Sequence, residues 1–224
     1  MKKNLKISLI LSISVFLLLS LTGCGKKEDV LIVGEGYICE ITFENGNTKK
    51  TNWIVESLYE AKEMEKEARE EGIDVVRNEN IVTMDFADIG RNTFESEKLT
   101  RTELISSMKD NDIPFIEMGK GKNDAILISS GLIEISFKKG KMEKVEFIIT
   151  DSGFFLGSSK KDNITEILGN DVEIKQEGDI LFVTMSLSQF NQLLEANNED
   201  TVKENATKED VIKLLEKSGY VVYR

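Results

Sequence analysis

Between Phe115 and Ile149, four apolar runs follow one another with room between them only for short turns. They are Phe115 to Met118, Ala125 to Ser129, Leu132 to Phe137 and Met142 to Ile149. Gly119-Lys120-Gly121-Lys122, Ser130-Gly131 and Lys139-Gly140 separate them. Ile133, Ile135 and Phe137 alternate onto one face, as do Val145, Phe147 and Ile149. Parallel strands need a crossover of about a dozen residues or more, so these runs pair antiparallel. The spacing predicts a continuous meander.

The same punctuation extends to both sides. Val30 to Val33 is a short apolar run closed by Gly34-Glu35-Gly36, and an alternating strand runs from Tyr37 to Phe43. Asn45-Gly46 is a two-residue hairpin turn, and the return strand, Thr48 to Val55, carries the only tryptophan, Trp53. Trp53 is read as a core or rim residue rather than a stacking platform. Ser57 and Glu60 form a capping box for a helix with Leu58, Ala61, Met64 and Ala68 on one stripe, and Gly72 ends it. Strands at Ile73 to Arg77 and Ile81 to Phe86 flank Asn78-Glu79-Asn80. Ala87 to Lys98 is polar and irregular. Thr100 with Glu103 then caps a second helix, with Leu99 and Leu104 as its hydrophobic staple, before the single proline, Pro114. A helix ending at Leu168, strands at Val172 to Lys175 and Ile180 to Met185, helices at Leu187 to Ala196 and Lys208 to Ser218, and a strand at Tyr220 to Tyr223 complete the pattern. The fold class expected is α+β, with antiparallel meander sheets and helices packed on one face. The units expected are a ββαββ subdomain over 30–86 and an α+β domain over 99–224. No firm internal repeat is read.

Composition excludes several functions. The net charge of −11 opposes binding to nucleic acid, which draws on a basic surface. With no histidine in the chain, Ser-His-Asp and Cys-His catalysis and imidazole zinc sites are ruled out. Of the two cysteines, Cys39 shares its strand face with Tyr37, Ile41 and Phe43 and is expected to be a small buried hydrophobe.

The N-terminus carries an address. Lys2, Lys3 and Lys6 precede an apolar run from Ile7 to Leu21, short for a membrane span of about twenty residues and suited to a signal peptide. A permanent anchor helix or an ordinarily cleaved signal is the alternative. Against both stands the ending Leu21-Thr22-Gly23-Cys24, which resembles the lipobox of bacterial lipoproteins. That resemblance implies a signal peptide over 1–23, lipid on Cys24, a tether over 24–29, and a body held on the extracytoplasmic face of the cell membrane. Two acyl chains make such anchoring stable where one is marginal.

Two further resemblances concern the body. Tyr37-Ile38-Cys39-Glu40-Ile41-Thr42-Phe43-Glu44-Asn45-Gly46, the helix containing Glu60-Ala61-Lys62-Glu63-Met64 and the strand Asn80 to Phe86 look like the small YehR-like lipoproteins of Gram-positive bacteria. Phe154-Phe155-Leu156-Gly157-Ser158-Ser159, with the helix ending at Leu168-Gly169 and its two strands, resembles the repeats of BamE-like and β-lactamase-inhibitor-like domains. The YehR-like resemblance implies fold and location only, and the BamE-like and β-lactamase-inhibitor-like one implies binding and scaffolding rather than catalysis.

Motifs for chemistry are weak. Gly119-Lys120-Gly121-Lys122 lacks the spacing of a phosphate loop and stands between strands. Asn197-Asn198-Glu199-Asp200 and Asp151-Ser152-Gly153 offer oxygen ligands without the twelve-residue calcium pattern. No catalytic residue, cofactor or metal ligand is expected. The function expected is a non-catalytic binding or accessory module of the cell envelope, with the membrane (through Cys24) and an envelope protein as partners and no nucleic acid. The alternative is a carboxylate-dependent cell-wall glycan hydrolase, which needs two acids facing one cleft. A solute-binding subunit would need βαβ alternation, which is missing.

Overall fold

A computed structural model describes residues 29–122, 124–150, 160–169 and 172–223. The leader, Cys24, Asp151-Ser152-Gly153 and Phe154 to Ser159 lie outside the described residues. In chain order the elements are β1 (Asp29–Glu35), β2 (Tyr37–Glu44), β3 (Asn47–Val55), α1 (Leu58–Glu70), β4 (Val75–Asn78), β5 (Ile81–Asp85), α2 (Phe86–Thr93), α3 (Arg101–Asp110), β6 (Phe115–Glu117), β7 (Ile126–Ile128), β8 (Gly131–Lys138), β9 (Lys141–Thr150), α4 (Lys160–Leu168), β10 (Glu173–Glu177), β11 (Ile180–Met185), α5 (Leu187–Ala196), α6 (Lys208–Lys217) and β12 (Tyr220–Tyr223).

The strands form two six-stranded antiparallel sheets, ordered β4-β5-β3-β2-β7-β6 and β10-β11-β9-β8-β1-β12. The class is α+β, as the hairpin spacing predicts. The expected continuous meander is interrupted at Ser129-Ser130: β6 and β7 finish one sheet, and β8 and β9 start the other. Strand β1 leaves its sequence neighbours and inserts between β8 and β12. At Gly34 a Cβ would lie 2.4 Å from the Tyr37 carbonyl and 2.5 Å from Ile38 Cγ1. Only glycine lets the chain step from one sheet to the other there. Ser129 Oγ donates to the Tyr37 carbonyl at 2.7 Å and Ser130 Oγ to that of Glu35 at 3.1 Å, tying the two crossovers together.

Alternation gives each sheet two apolar faces. Ile38, Ile116 and Leu127 of one sheet pack on Ile32, Leu132, Ile148, Ile180 and Val221 of the other. Outside, Cys39, Ile41, Phe43 and Ile126 meet Leu104 and Met108 of α3, while Val55, Val75, Val82 and Met84 meet Ala61 and Ala68 of α1. On the other side Leu31, Val33, Ile135, Leu181 and Val183 meet Ile164, Phe190, Leu194, Val211 and Leu215 of α4 to α6. The result is four layers, helices–sheet–sheet–helices.

The two halves are copies of one plan. Each runs hairpin, helix, hairpin, two helices and an edge strand, with the sixth strand supplied by β7 in one sheet and by β1 in the other. Register matches across whole rows: Val76, Thr83, Asn52, Glu40, Leu127 and Ile116 in one sheet correspond to Glu173, Thr184, Glu146, Glu134, Ile32 and Tyr223 in the other. Both first hairpins bulge at the same place, between Thr42 and Phe43 and between Ser136 and Phe137. Their turns carry positive φ at Asn45 (56°) and Gly46 (83°), and at Lys139 (53°) and Gly140 (76°). The sequence agrees: Glu40-Ile41-Thr42-Phe43 matches Glu134-Ile135-Ser136-Phe137, and Val82-Thr83-Met84 matches Val183-Thr184-Met185. The internal repeat that the strand-by-strand reading does not find is therefore present. Helix α2, in the stretch expected to be irregular, is the counterpart of α5.

Candidate functional site

The duplication places two clefts between the sheets, and one is open. It has a volume of about 550 Å³ and is lined by Ile116 and Phe115 of β6, Ile148 of β9, Ile180 and Phe182 of β11, with Lys109, Glu117, Glu134 and Glu177 at its polar margin. The corresponding space in the other half is about 330 Å³, bounded by Ile54, Ile81 and Val222. The same backbone plan thus leaves different room because different side chains enter it.

In the closed half, Tyr223 enters from β12. Its hydroxyl donates to Glu40 Oε1 at 2.5 Å, Asn52 Nδ2 donates to Glu40 Oε2 at 2.7 Å, and Thr83 Oγ1 donates to Asn52 Oδ1 at 2.9 Å. Burial, then the bond and charge of Glu40, raise the Tyr223 phenol well above the usual tyrosine range. Both oxygens of Glu40 accept a bond, so neither is left without a donor between the sheets.

In the open half the row reads Ile116, Glu134, Glu146 and Thr184. Lys144 Nζ lies 2.5 Å from Glu146 Oε2, and its ammonium is held above the ordinary lysine range by Glu146 first, with Glu134 and Glu173 adding to the field. Lys175 stands over the Phe182 ring, 5.8 Å from its centre, and pairs with Glu177, whose carboxyl it lowers. Glu117 is held by Arg101 at 2.8 Å. Each of these three carboxylates is paired with a cation.

Arg101 is the site residue that sequence reasoning missed. It is buried, reaches Glu117, the Gly119 carbonyl at 2.5 Å and the Asp124 carbonyl, and lies 5.8 Å from the centre of the Phe43 ring. Asp124 Oδ2 accepts from the Gly121 amide at 2.6 Å. The Gly119 to Lys122 turn is organised inward around Arg101 and does not cradle an anion. An arginine as the first residue of a helix carries no sequence signal of such a role.

The other candidates are scattered. Cys39 is buried under α3, and burial pushes its thiol far up, as expected of a small hydrophobe. Trp53 is half-buried, tilted 36° against Tyr37 with ring centres 5.4 Å apart. Asp200 pairs with Lys217, and Asn197 Nδ2 donates to the Leu193 carbonyl, so the Asn197 to Asp200 run does not converge. Glu199 is drawn above the carboxylate range by burial and by Glu35. Its Oε2 has no partner, while Tyr220, pushed up to about 12 by burial and these two acids, bonds it. Among the described residues no three acidic or sulfur side chains converge on a metal position. Nor does any described helix have the length and apolarity to cross a membrane. Cys24 lies outside the described residues.

What fold and cleft define is a duplicated α+β scaffold holding a larger and a smaller inter-sheet cleft. No family model matches the chain, and neither does any curated protein or solved structure.

Proposed function

We propose that the chain is a lipid-anchored lipoprotein of the extracytoplasmic face of the cell membrane, and that its body is a non-catalytic binding module working through the open inter-sheet cleft. The observation that carries the binding role is the unequal filling of two equivalent clefts. One half spends a tyrosine and a polar network on closing the space, and the other leaves about 550 Å³ lined by apolar side chains and compensated charges. Pockets that bind small ligands have this size and this mixture of apolar wall and few polar groups. The anchor rests on Leu21-Thr22-Gly23-Cys24. The likeness of the sequence to YehR-like lipoproteins supports the location, and that to BamE-like and β-lactamase-inhibitor-like repeats supports a binding and scaffolding role.

Two measurements test this. Cys24→Ala is expected to leave the protein unprocessed or released and to abolish its partition into the detergent phase; unchanged mobility and partition would refute the anchor. Purified protein incubated with peptidoglycan is expected to release no soluble glycan. Release that disappears in Glu134→Gln would make the cleft an enzyme's.

A further inference from the structure

The duplication supplies an internal control for one turn. The β2–β3 and β8–β9 hairpins share a bulge and positive φ at both turn residues, so the backbone places the same demands on each. Their tips differ in charge: Glu44-Asn45-Gly46-Asn47 in one and Lys138-Lys139-Gly140-Lys141 in the other. Each keeps an ion pair across the hairpin, with the sign reversed: Glu44 with Lys49 at 3.6 Å, and Lys138 with Glu143 at 2.7 Å. Lys139 and Lys141 come in addition, where the first half has two asparagines. Both are exposed, and no acid among the described residues pairs with either. Asparagine is held at positive φ more readily than lysine, so the turn does not require Lys139.

The tip also has a definite place. Register sets Asp29 opposite Phe137 on the neighbouring strand, so Lys138 to Lys141 project past the point where the chain enters β1, by about 7 Å for two residues. Cys24 stands five residues before Asp29, a reach of at most about 18 Å. A bilayer that holds the lipid therefore lies within about that distance of the hairpin. A lysine at an anionic leaflet is favoured by roughly a factor of five, and the attraction fades within about 10 Å. We infer that the β8–β9 hairpin tip docks, through Lys139 and Lys141, on the anionic headgroups of the bilayer that holds the anchor. This inference rests on the lipid anchor proposed above and adds the orientation of the body upon it. The chain as a whole is acidic, at −11, and the same surface repels it. Attraction at one tip and repulsion elsewhere select a single orientation, with the Asp29 end of β1 toward the lipid and the Glu35 end away from it.

The test is rapid-mixing hydrogen exchange, read by mass spectrometry, on the lipidated protein purified from membranes. It is reconstituted on vesicles of phosphatidylcholine alone and of equal parts phosphatidylcholine and phosphatidylglycerol. Amides of Lys138 to Lys141 are expected to exchange about tenfold slower on the anionic vesicles, and those of Asn45 to Asn47 at one rate on both. Salt at about 1 M, where charges act over about 3 Å, is expected to remove the difference. Lys139→Asn with Lys141→Asn gives the turn the residues of its counterpart. That pair is expected to remove the difference at low salt and to leave the circular dichroism spectrum unchanged. Lys139→Gln with Lys141→Gln carries the same expectation and decides the matter should the asparagine pair fail to fold. The inference is overturned if Lys138 to Lys141 exchange alike on both vesicles, if Asn45 to Asn47 slow as much, or if the substituted tip keeps the slowing. Protein that does not float with phosphatidylcholine vesicles would refute the anchor and this inference with it. Protein that floats with both and shows no difference in exchange would refute the docked hairpin alone.

Discussion

The half built on β2 to β7 and the half built on β8 to β12 with β1 share topology, register, bulge and turn geometry, yet they spend their inward-facing positions differently. In the first, Glu40 is sealed by a tyrosine and an asparagine, and a threonine holds the asparagine. In the second, the same row carries Glu134, Glu146 and Thr184 beneath an isoleucine, and space remains. Backbone plan and side-chain purpose have separated. The outer faces, which pack on helices, stay close: Ile41 and Phe43 answer Ile135 and Phe137. On the inward faces Glu40 and Thr83 answer Glu134 and Thr184 unchanged, while Asn52 answers Glu146 and Tyr223 answers Ile116.

The largest expected effects test whether the outer faces are equivalent. Phe43→Ala and Phe137→Ala each empty a buried aromatic position at the same bulge, and each is expected to cost about 3–5 kcal/mol in chemical denaturation. Phe43→Ala is expected to be the greater loss, because Phe43 also lies under the Arg101 guanidinium. Equal losses would remove that contact from the comparison.

Next in size is the first helical residue after each threonine cap, Arg101 in α3 and Lys208 in α6. Arg101 joins a carboxylate and two carbonyls from a buried position, whereas Lys208 reaches the Val30 carbonyl at 3.3 Å. Arg101→Ala is expected to cost about 3 kcal/mol and to loosen the Gly119 to Lys122 turn, read as faster amide exchange at Gly121. Lys208→Ala is expected to cost less. A reversed order would break the assignment of Arg101 as the organiser of its half.

The smallest effect concerns the closed cleft. Tyr223→Phe is expected to cost about 1–2 kcal/mol at neutral pH, since Glu40 loses a donor between the sheets. The pH dependence has a definite sign. Burial and Glu40 raise the folded pKa of Tyr223 above its ordinary value near 10, so in alkali the native state holds a proton that the unfolded chain has released. The contribution is fully present below pH 10 or so and is lost as pH rises further. Alkaline denaturation curves of Tyr223→Phe are therefore expected to fall less steeply than those of the parent.

Much of this fold was legible in the chain. Alternation, Asn45-Gly46, Lys139-Gly140 and the threonine capping boxes fixed most elements and their antiparallel sense. The sheet membership of β1 was not, because its partners are β8 and β12, far away in sequence, and local periodicity carries no information on such pairing. The repeat escaped because its copies are staggered by loops and helices of different length, although Glu-Ile-Thr-Phe and Glu-Ile-Ser-Phe, with Val-Thr-Met twice, are visible once set side by side. Helix α2 escaped because Gly90 and short polar residues read as loop. The cleft escaped for a further reason. Alternation assigns polar positions such as Glu40 and Glu134 to water, and here those positions face a second sheet.

Strand β1 has a consequence for assembly. Its hydrogen-bond partners on both sides come later in the chain, β8 near the middle of the body and β12 at its far end. During synthesis Leu31, Ile32 and Val33 must therefore wait as an unpaired apolar segment while the sheet of β2 to β7 completes itself without them. The pairing of β12 along β1 also carries Tyr223 to Glu40.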